Sequence, residues 1–66
     1  MSVPTFGDEY SQLMEHLRRC EEHAAMIAHL HNANDNRGLA IAWLQVSENF
    51  KKTQHTLTKL AMGKLN

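Results

Sequence analysis

The chain has 66 residues, with seven Lys plus Arg balancing seven Asp plus Glu, and a single cysteine. One small domain is therefore expected, and an intrachain disulfide is excluded because Cys20 has no second cysteine to pair with. The formal net charge of zero also argues against a protein that follows a nucleic-acid backbone, since such proteins carry a basic surplus.

The first ten residues, MSVPTFGDEY, lack the basic-then-apolar order of a signal peptide, and no later apolar run approaches membrane-spanning length. We therefore expect a cytoplasmic protein without membrane contact. Residues 1–7 are predicted to form a short N-terminal arm. Thr5 and Asp8 have the spacing of a capping box, and Asp8 and Glu9 suit the positive N-terminal end of a helix.

A first helix is predicted over residues 8–31. Its apolar stripe repeats at alternating intervals of three and four residues, through Tyr10, Leu13, Leu17, Cys20, Ala24 and Ile27. This position on the stripe predicts that Cys20 is buried. Glu15 precedes Arg18 and Arg19 by three and four residues, the spacing at which opposite charges pair on one helix face.

The Asn- and Asp-rich segment at residues 32–35 predicts a turn, because these side chains bond to nearby backbone groups. A second helix is predicted over residues 36–62, with Asp35 as its N-cap and Gly63 as its C-terminal stop. Its apolar stripe repeats the same intervals, through Leu39, Trp43, Val46, Phe50, Thr53, Leu57 and Leu60.

Two long helices joined by a short turn predict an all-α antiparallel hairpin. Each helix would be about 35 Å long, and two such helices cover only one seam of each other. The apolar residues at the start of the second helix spread too widely for one partner helix; they are Ala40, Ile41, Trp43 and Leu44. We therefore expect further copies of the chain to cover this surface in a helical-bundle oligomer.

The residue pattern gives little support to catalysis or metal binding. His16, Cys20 and His23 lie toward one side of the first helix, and imidazole and thiolate are good zinc ligands. Their spacing matches no common zinc motif, so solvated histidines are the alternative interpretation. The Ser, His and Asp residues show no nucleophile elbow or Gly-rich loop. We expect neither an enzyme nor a bound cofactor.

Ligand contact is the remaining role for the aromatic and cationic side chains. Tyr10, at the start of the first helix, can place a ring and a hydroxyl near a second protomer. Arginine and lysine supply the cationic donors, although solvated surface charge is the ordinary role of such residues. The candidates for ligand contact are Tyr10, Arg18, Arg19, Arg37 and Lys51.

The segment NRGLAIAWLQVSENFKKTQHTL, residues 36–57, resembles the second helix of a phage family of small helical hairpins. These are the anti-CBASS and anti-Thoeris sponges, which capture cyclic nucleotide signals. The resemblance lies in a polar turn followed by Arg37, Leu39-Ala40-Ile41 and Leu44, with Phe50 where that family commonly has tryptophan. Tyr10 and the pair Arg18–Arg19 resemble residues of its first helix.

This resemblance implies a compact oligomer, often a hexamer, with a cyclic di- or trinucleotide bound between protomers. Tyr10 would stack on a base, and Arg18 or its neighbour Arg19 would contact a phosphate. Arg37 and Lys51 would belong to a second site. The implied function is non-catalytic sequestration of immune signals in the host cytoplasm, which counters anti-phage defence.

The alternative function is a structural or adaptor module that binds a protein partner. It is suggested by the surplus apolar surface around Ile41 and Leu44 and by the methionines of the first helix.

Overall fold

The computed structural model describes residues 5–65 and contains two α-helices, α1 over Phe6–Ala33 and α2 over Arg37–Leu65. Tyr10 near the start of α1 meets Thr58 near the end of α2, and Glu21 meets Gln54 further along. These contacts show that the helices run antiparallel, so the predicted all-α hairpin is confirmed. Within the described residues, neither helix has an apolar stretch sufficient to cross a membrane.

A capping box begins α1, as the sequence predicts. The Thr5 hydroxyl accepts from the Asp8 amide at 3.2 Å, and the Asp8 carboxylate accepts from the Thr5 amide at 3.5 Å. Because Thr5 is the N-cap, α1 begins at Phe6 and not at the predicted residue 8. Phe6 and Gly7, which were assigned to the N-terminal arm, belong to α1; residues 1–4 of that arm lie outside the described residues.

The turn between the helices is shorter than predicted and lies later in the chain. α1 continues through Ala33, and the Asn34 amide donates to the carbonyl of Leu30 at 3.2 Å. Asp35 has a positive φ of 61°, whereas an N-cap residue has an extended backbone. The Asp35 cap is therefore wrong. Asn36 takes that position, since its carbonyl accepts the first α2 hydrogen bond, from the Ala40 amide at 2.9 Å.

Gly63 does not end α2, which continues through Leu65. A glycine stops a helix by adopting a left-handed backbone just beyond the last turn. No glycine among residues 5–65 has a positive φ, so the predicted stop at Gly63 is wrong.

The seam between the helices uses a different set of residues from the predicted stripes. The side chains withdrawn from solvent at heptad spacing are Tyr10, Met14, Leu17, Glu21, Ala24, Ala28 and His31 on α1, and Ala40, Trp43, Ser47, Phe50, Gln54, Leu57 and Ala61 on α2. Every second predicted position is correct, and each of the others is displaced by one residue. Cys20 is exposed because Glu21 takes the seam position, so its predicted burial is wrong.

Small side chains form the centre of this seam. Ala24, Ala28 and Ala40 are at most 5% exposed, and Ser47 is 9% exposed. Among the described residues, no large side chain is fully buried. The close approach of the two helices therefore leaves most large apolar side chains on the flanks of the seam.

A polar layer lies midway along the seam. The Ser47 hydroxyl donates to the Glu21 carbonyl at 3.0 Å, and the Gln54 amide donates to the Glu21 carboxylate at 2.8 Å. Polar groups between packed helices are stable only with such partners, and they favour the one register in which the partners meet. This layer links the two helices and fixes their register, which determines which flank residues of α1 and α2 lie side by side along the hairpin.

Each flank of the seam forms one broad face of the hairpin. On one flank, residues at seven-residue intervals form the apolar face, which consists of Phe6, Leu13, Cys20, Ile27, Leu39, Val46, Thr53 and Leu60. On the other flank, residues at seven-residue intervals form the opposite face, which consists of Ser11, Arg18, Ala25, Asn32, Leu44, Lys51 and Thr58.

Candidate functional site

A shallow groove of about 400 Å³ on the opposite face brings together an aromatic ring and a cation. Its lining residues are Tyr10, Ser11, Met14, Glu15, Arg18 and Gln54. Tyr10 and Arg18 are eight residues apart, which separates them by roughly 12 Å along the axis of α1. We call this the Tyr10–Arg18 groove.

Tyr10 is held in a defined orientation at the open end of the hairpin. Its ring stacks against the ring of Phe6, with centroids 5.7 Å apart and an interplanar angle of 22°. Its hydroxyl donates to the hydroxyl of Thr58 at 3.5 Å, a long contact, while Thr58 donates to the Gln54 carbonyl at 2.9 Å. The side chain is half-buried, so part of the ring remains open to the groove.

Arg18 is exposed and held by two carboxylates of its own helix. Its Nη2 donates to both oxygens of Glu15, at 2.9 and 3.0 Å, and its Nη1 donates to Glu22 at 3.4 Å. Glu15 also accepts from the Nε of Arg19 at 3.2 Å. The spacing of three and four residues predicted both Glu15 pairs, and they are confirmed. A phosphate that binds Arg18 must therefore compete with Glu15.

The electrostatics of the groove follow from this pairing. The hydrogen bond from Arg18, and then its positive charge, hold the pKa of Glu15 below the ordinary value of 4.5. The hydrogen bond to Glu15 in turn raises the pKa of Arg18. Both groups are charged at neutral pH, so the groove has a cation whose field is largely neutralised by its neighbours.

Lys51 is a cation on the same face as this groove, although it is not one of the groove's lining residues. The contacts Tyr10–Thr58 and Glu21–Gln54 set the register of the hairpin. In that register Lys51 lies level with Arg18 on the other helix, and both follow a seam residue on the opposite face. Sequence analysis assigned Lys51 to a second site, whereas the fold groups it with Arg18.

Arg19 and Arg37 lie apart from the Tyr10–Arg18 groove. Arg19 lines a separate shallow surface with Ser11, Gln12, Glu15 and His16. Arg37 is the first residue of α2 and lies at the turn end, roughly 35 Å from Tyr10 along the hairpin. It borders a second groove of about 210 Å³, which is lined by Ala28, His29, Asn32, Arg37, Ala40, Ile41 and Leu44.

Gln54 is a groove residue that sequence analysis missed. Its position could be found in the sequence, because Trp43, Ser47, Phe50 and Gln54 follow one another at intervals of four, three and four residues. This is the heptad spacing of residues that face a partner helix. The predicted stripe instead passes through Val46 and Thr53. In the structure the Gln54 amide donates to Glu21 and, at 3.2 Å, to the Phe50 carbonyl, and the residue lines the groove.

The histidine and cysteine side chains of α1 do not form a cluster with metal-ligand geometry. Within residues 5–65, no group of three His, Cys, Asp or Glu side chains is arranged to hold a metal ion. His16, Cys20 and His23 are each exposed on the side of α1 that borders the apolar face.

Comparisons of the chain with protein-family models, with curated proteins and with solved structures find no match. Function is therefore inferred from the side chains of the Tyr10–Arg18 groove and from the resemblance noted for residues 36–57.

Proposed function

We propose that this protein is a non-catalytic binding protein that sequesters a cyclic oligonucleotide signal as an oligomer of hairpins. The observation that carries the proposal is that Tyr10 and Arg18 line one groove, with Lys51 on the same face of the hairpin. In an infected cell, capture of the signal in the cytoplasm would counter anti-phage defence. The resemblance of residues 36–57 to the phage sponges supports this choice of ligand.

The chemistry of a cyclic dinucleotide matches the groups of this groove. Its bases offer flat faces to the ring of Tyr10, and its phosphates accept from the planar guanidinium of Arg18. A phosphodiester offers two anionic oxygens to the guanidinium, as Glu15 does, and would take the place of Glu15 on Arg18. Two copies related by a two-fold axis would duplicate the ring and the cation, which matches the two bases and two phosphates of the ligand.

A sponge needs affinity and abundance but no bond-breaking chemistry. The Tyr10–Arg18 groove is shallow and open to solvent, so it lacks the water-excluding depth that catalysis uses to strengthen electrostatic interactions. Ligand released by heating the complex should accordingly be recovered intact.

Calorimetry against a panel of cyclic di- and trinucleotides tests the proposal. At least one member should bind in the micromolar range or tighter, and Arg18→Ala should weaken that binding by roughly tenfold or more, since a charge-assisted contact is lost. Lys52→Ala is the matched control, because Lys52 is an exposed cation that lies outside the groove. Absence of binding at tens of micromolar for every member would overturn the sponge function.

A second candidate function rests on a separate observation. Ile41 and Leu44 are 53% and 49% exposed and line the turn-end groove, where they form an apolar patch on the opposite face. An adaptor that binds a protein partner would use this patch. Tagged wild-type protein should then retain a stoichiometric partner that Leu44→Glu loses, whereas Lys52→Ala retains it.

A further inference from the structure

The apolar face runs the whole length of the hairpin and remains uncovered by its packing. Leu13, Leu39 and Leu60 are 45%, 52% and 63% exposed. Eight of the fourteen seam side chains beneath them are alanine or polar, and none of the large ones is fully buried, so the seam of one hairpin buries limited apolar surface. A chain of 66 residues with such a seam needs further apolar burial to be stable.

The charge distribution indicates what kind of surface can cover this face. Its eight positions include no Asp, Glu, Lys or Arg, and Glu9 is the one charged residue that lines the groove at its open end, so a strongly acidic or basic partner would find little counter-charge. A second copy of the chain presents the same largely uncharged surface, and the formal net charge of zero means that two copies do not repel each other. The face is therefore suited to self-association.

The size of the face is also sufficient for a stable dimer. The hairpin is a flat slab with extents of 49, 29 and 9 Å. A broad side of these dimensions exceeds the roughly 800 Å² per partner that a standard interface buries. Two slabs stacked through their broad sides form a four-helix bundle, which supplies the core that one hairpin lacks.

Two such slabs can stack with like ends together or with one copy reversed end for end, and the shape of the face distinguishes between these orientations. At the open end the face has a groove of about 560 Å³, which is lined by Phe6, Glu9, Tyr10, Leu13, Leu57, Leu60 and Ala61. At the turn end, the seam consists of the small buried side chains of Ala24, Ala28 and Ala40, and Leu39 of the apolar face is 52% exposed. The open-end groove and the exposed side chain of Leu39 therefore lie at opposite ends of the same face.

We propose that the apolar face binds a second copy of this chain in reversed orientation. The turn end of each copy then fills the open-end groove of the other, and α1 packs against α1 of the partner subunit. Stacking like end on like end would instead leave two grooves facing each other as a void, which protein interiors avoid. This proposal does not rest on ligand binding, and its tests use ligand-free protein.

Reversed stacking gives Cys20 a distinctive position. Cys20 lies at the middle of α1 and on the apolar face, so a two-fold axis across the middle of the slab places it beside Cys20 of the partner subunit. Mild oxidation with diamide should convert most of the native protein to a disulfide-linked dimer, since a disulfide forms only when the two Cα atoms approach to about 7 Å or less. A double variant with Cys20→Ser and Met26→Cys, which moves the thiol to the outer side of α1, should remain unlinked.

The size of the assembly in solution provides the second test. Sedimentation at about 10 µM should show the native protein as a dimer or a larger assembly, because interfaces of this area hold at micromolar concentration. Leu13→Glu should yield a smaller species, whereas Met26→Glu, at a more exposed position on the outer side of α1, should match the native protein. Circular dichroism shows whether each variant is still helical.

Each outcome decides the proposal. A folded native monomer at this concentration overturns it, as does a folded Leu13→Glu protein of unchanged size. If Leu13→Glu unfolds, the oxidation of native protein decides alone. The reversed orientation is overturned if the assembled copies fail to link through Cys20, or if the double variant links as readily as the native protein.

Discussion

The contacts of Arg18 alone do not assign it a role in ligand binding. Its guanidinium already has good acceptors in Glu15 and Glu22, so its presence in the groove alone does not make it a phosphate-binding group. What supports that role is the position of Tyr10 and Lys51 on the same face. The charge that a ligand meets therefore depends on how readily Glu15 releases Arg18.

Replacing Glu15 by Gln should strengthen ligand binding. The substitution removes a negative charge beside the groove and the strongest competitor for Arg18, so the affinity for a cyclic dinucleotide should rise by about threefold to fivefold. Calorimetry at low salt measures the change. Glu48→Gln on α2, which removes an exposed carboxylate that does not line the groove, is the control, and equal effects of the two substitutions would contradict this role for Glu15.

The acid titration of Glu15 should report the same ion pair. A carboxyl whose pKa is lowered in the folded state stabilises that state above its ordinary pKa, and this contribution is lost as the pH falls through the lowered value. NMR should therefore find the Glu15 midpoint below 4.5, and Arg18→Ala should move it upward. Arg19 still contacts Glu15 in that variant, so the return is expected to be partial. An unchanged midpoint would contradict the pairing.

Asp35 is the one described non-glycine residue with a positive φ, at 61°. Asp tolerates this left-handed conformation better than most residues, and glycine adopts it without steric cost. Asp35→Ala should destabilise the protein by about 1 kcal/mol, whereas Asp35→Gly should leave stability unchanged or slightly increased. Urea unfolding followed by circular dichroism measures both. The interpretation fails if alanine is tolerated as well as glycine.

At the scale of the helices, the seam explains why a hairpin with many large apolar residues buries so few of them. The predicted stripe and the observed seam are two heptad frames that share alternate positions on each helix, and both contain apolar residues. The frame through Ala24, Ala28 and Ala40 lets the backbones approach closely, and it also brings Glu21 to Ser47 and Gln54. Packing and hydrogen bonding therefore favour the less hydrophobic frame.

Enlarging a seam alanine should separate the helices. Ala24→Leu introduces three carbon atoms at a position only 3% exposed and should cost about 1–3 kcal/mol of stability, the usual range for an overpacked core. Ala42→Leu is the matched control, since Ala42 is exposed on α2 and the change adds the same atoms. Urea unfolding at one fixed protein concentration compares the two. Equal stability of both variants would mean that Ala24 does not lie in a close seam.

At the scale of the whole molecule, the protein is a flat slab with an apolar face on one side and the Tyr10–Arg18 groove on the other. In the proposed assembly, the apolar face would serve self-association and the Tyr10–Arg18 groove would serve ligand capture, with Tyr10 lining a groove on both sides. Stacking through the apolar face would leave the Tyr10–Arg18 groove of every copy open to solvent, and further copies could approach it from outside.

Thermal stability should therefore depend on protein concentration. When folding is coupled to association, mass action raises the melting temperature as the concentration increases. For two chains of this length, we expect a rise of about 3–6 °C for each tenfold increase in concentration. Melting curves from about 1 to 100 µM measure this. A melting temperature independent of concentration would indicate that the hairpin is stable alone.

Sequence by itself determined the two helices, the capping box at Thr5 and the pairing of Glu15 with Arg18 and Arg19. Each depends on residues within four positions of one another, and local spacing is visible in the chain. It located the turn only approximately, because whether Asp35 caps α2 or adopts a left-handed backbone depends on how the two helices meet.

Tertiary structure alone decided which heptad frame forms the seam. Cys20 and Leu13 fit the predicted stripe as well as Glu21 and Met14 fit the observed one, and only the close approach of α1 to α2 distinguishes them. The packing of α1 against α2 also determines which side chains come together at the candidate site. Arg18 and Lys51 lie on different helices, and their common level follows from the register that Glu21, Ser47 and Gln54 set across the seam. Such long-range pairing has no signature in local spacing, because it arises only when both helices are packed.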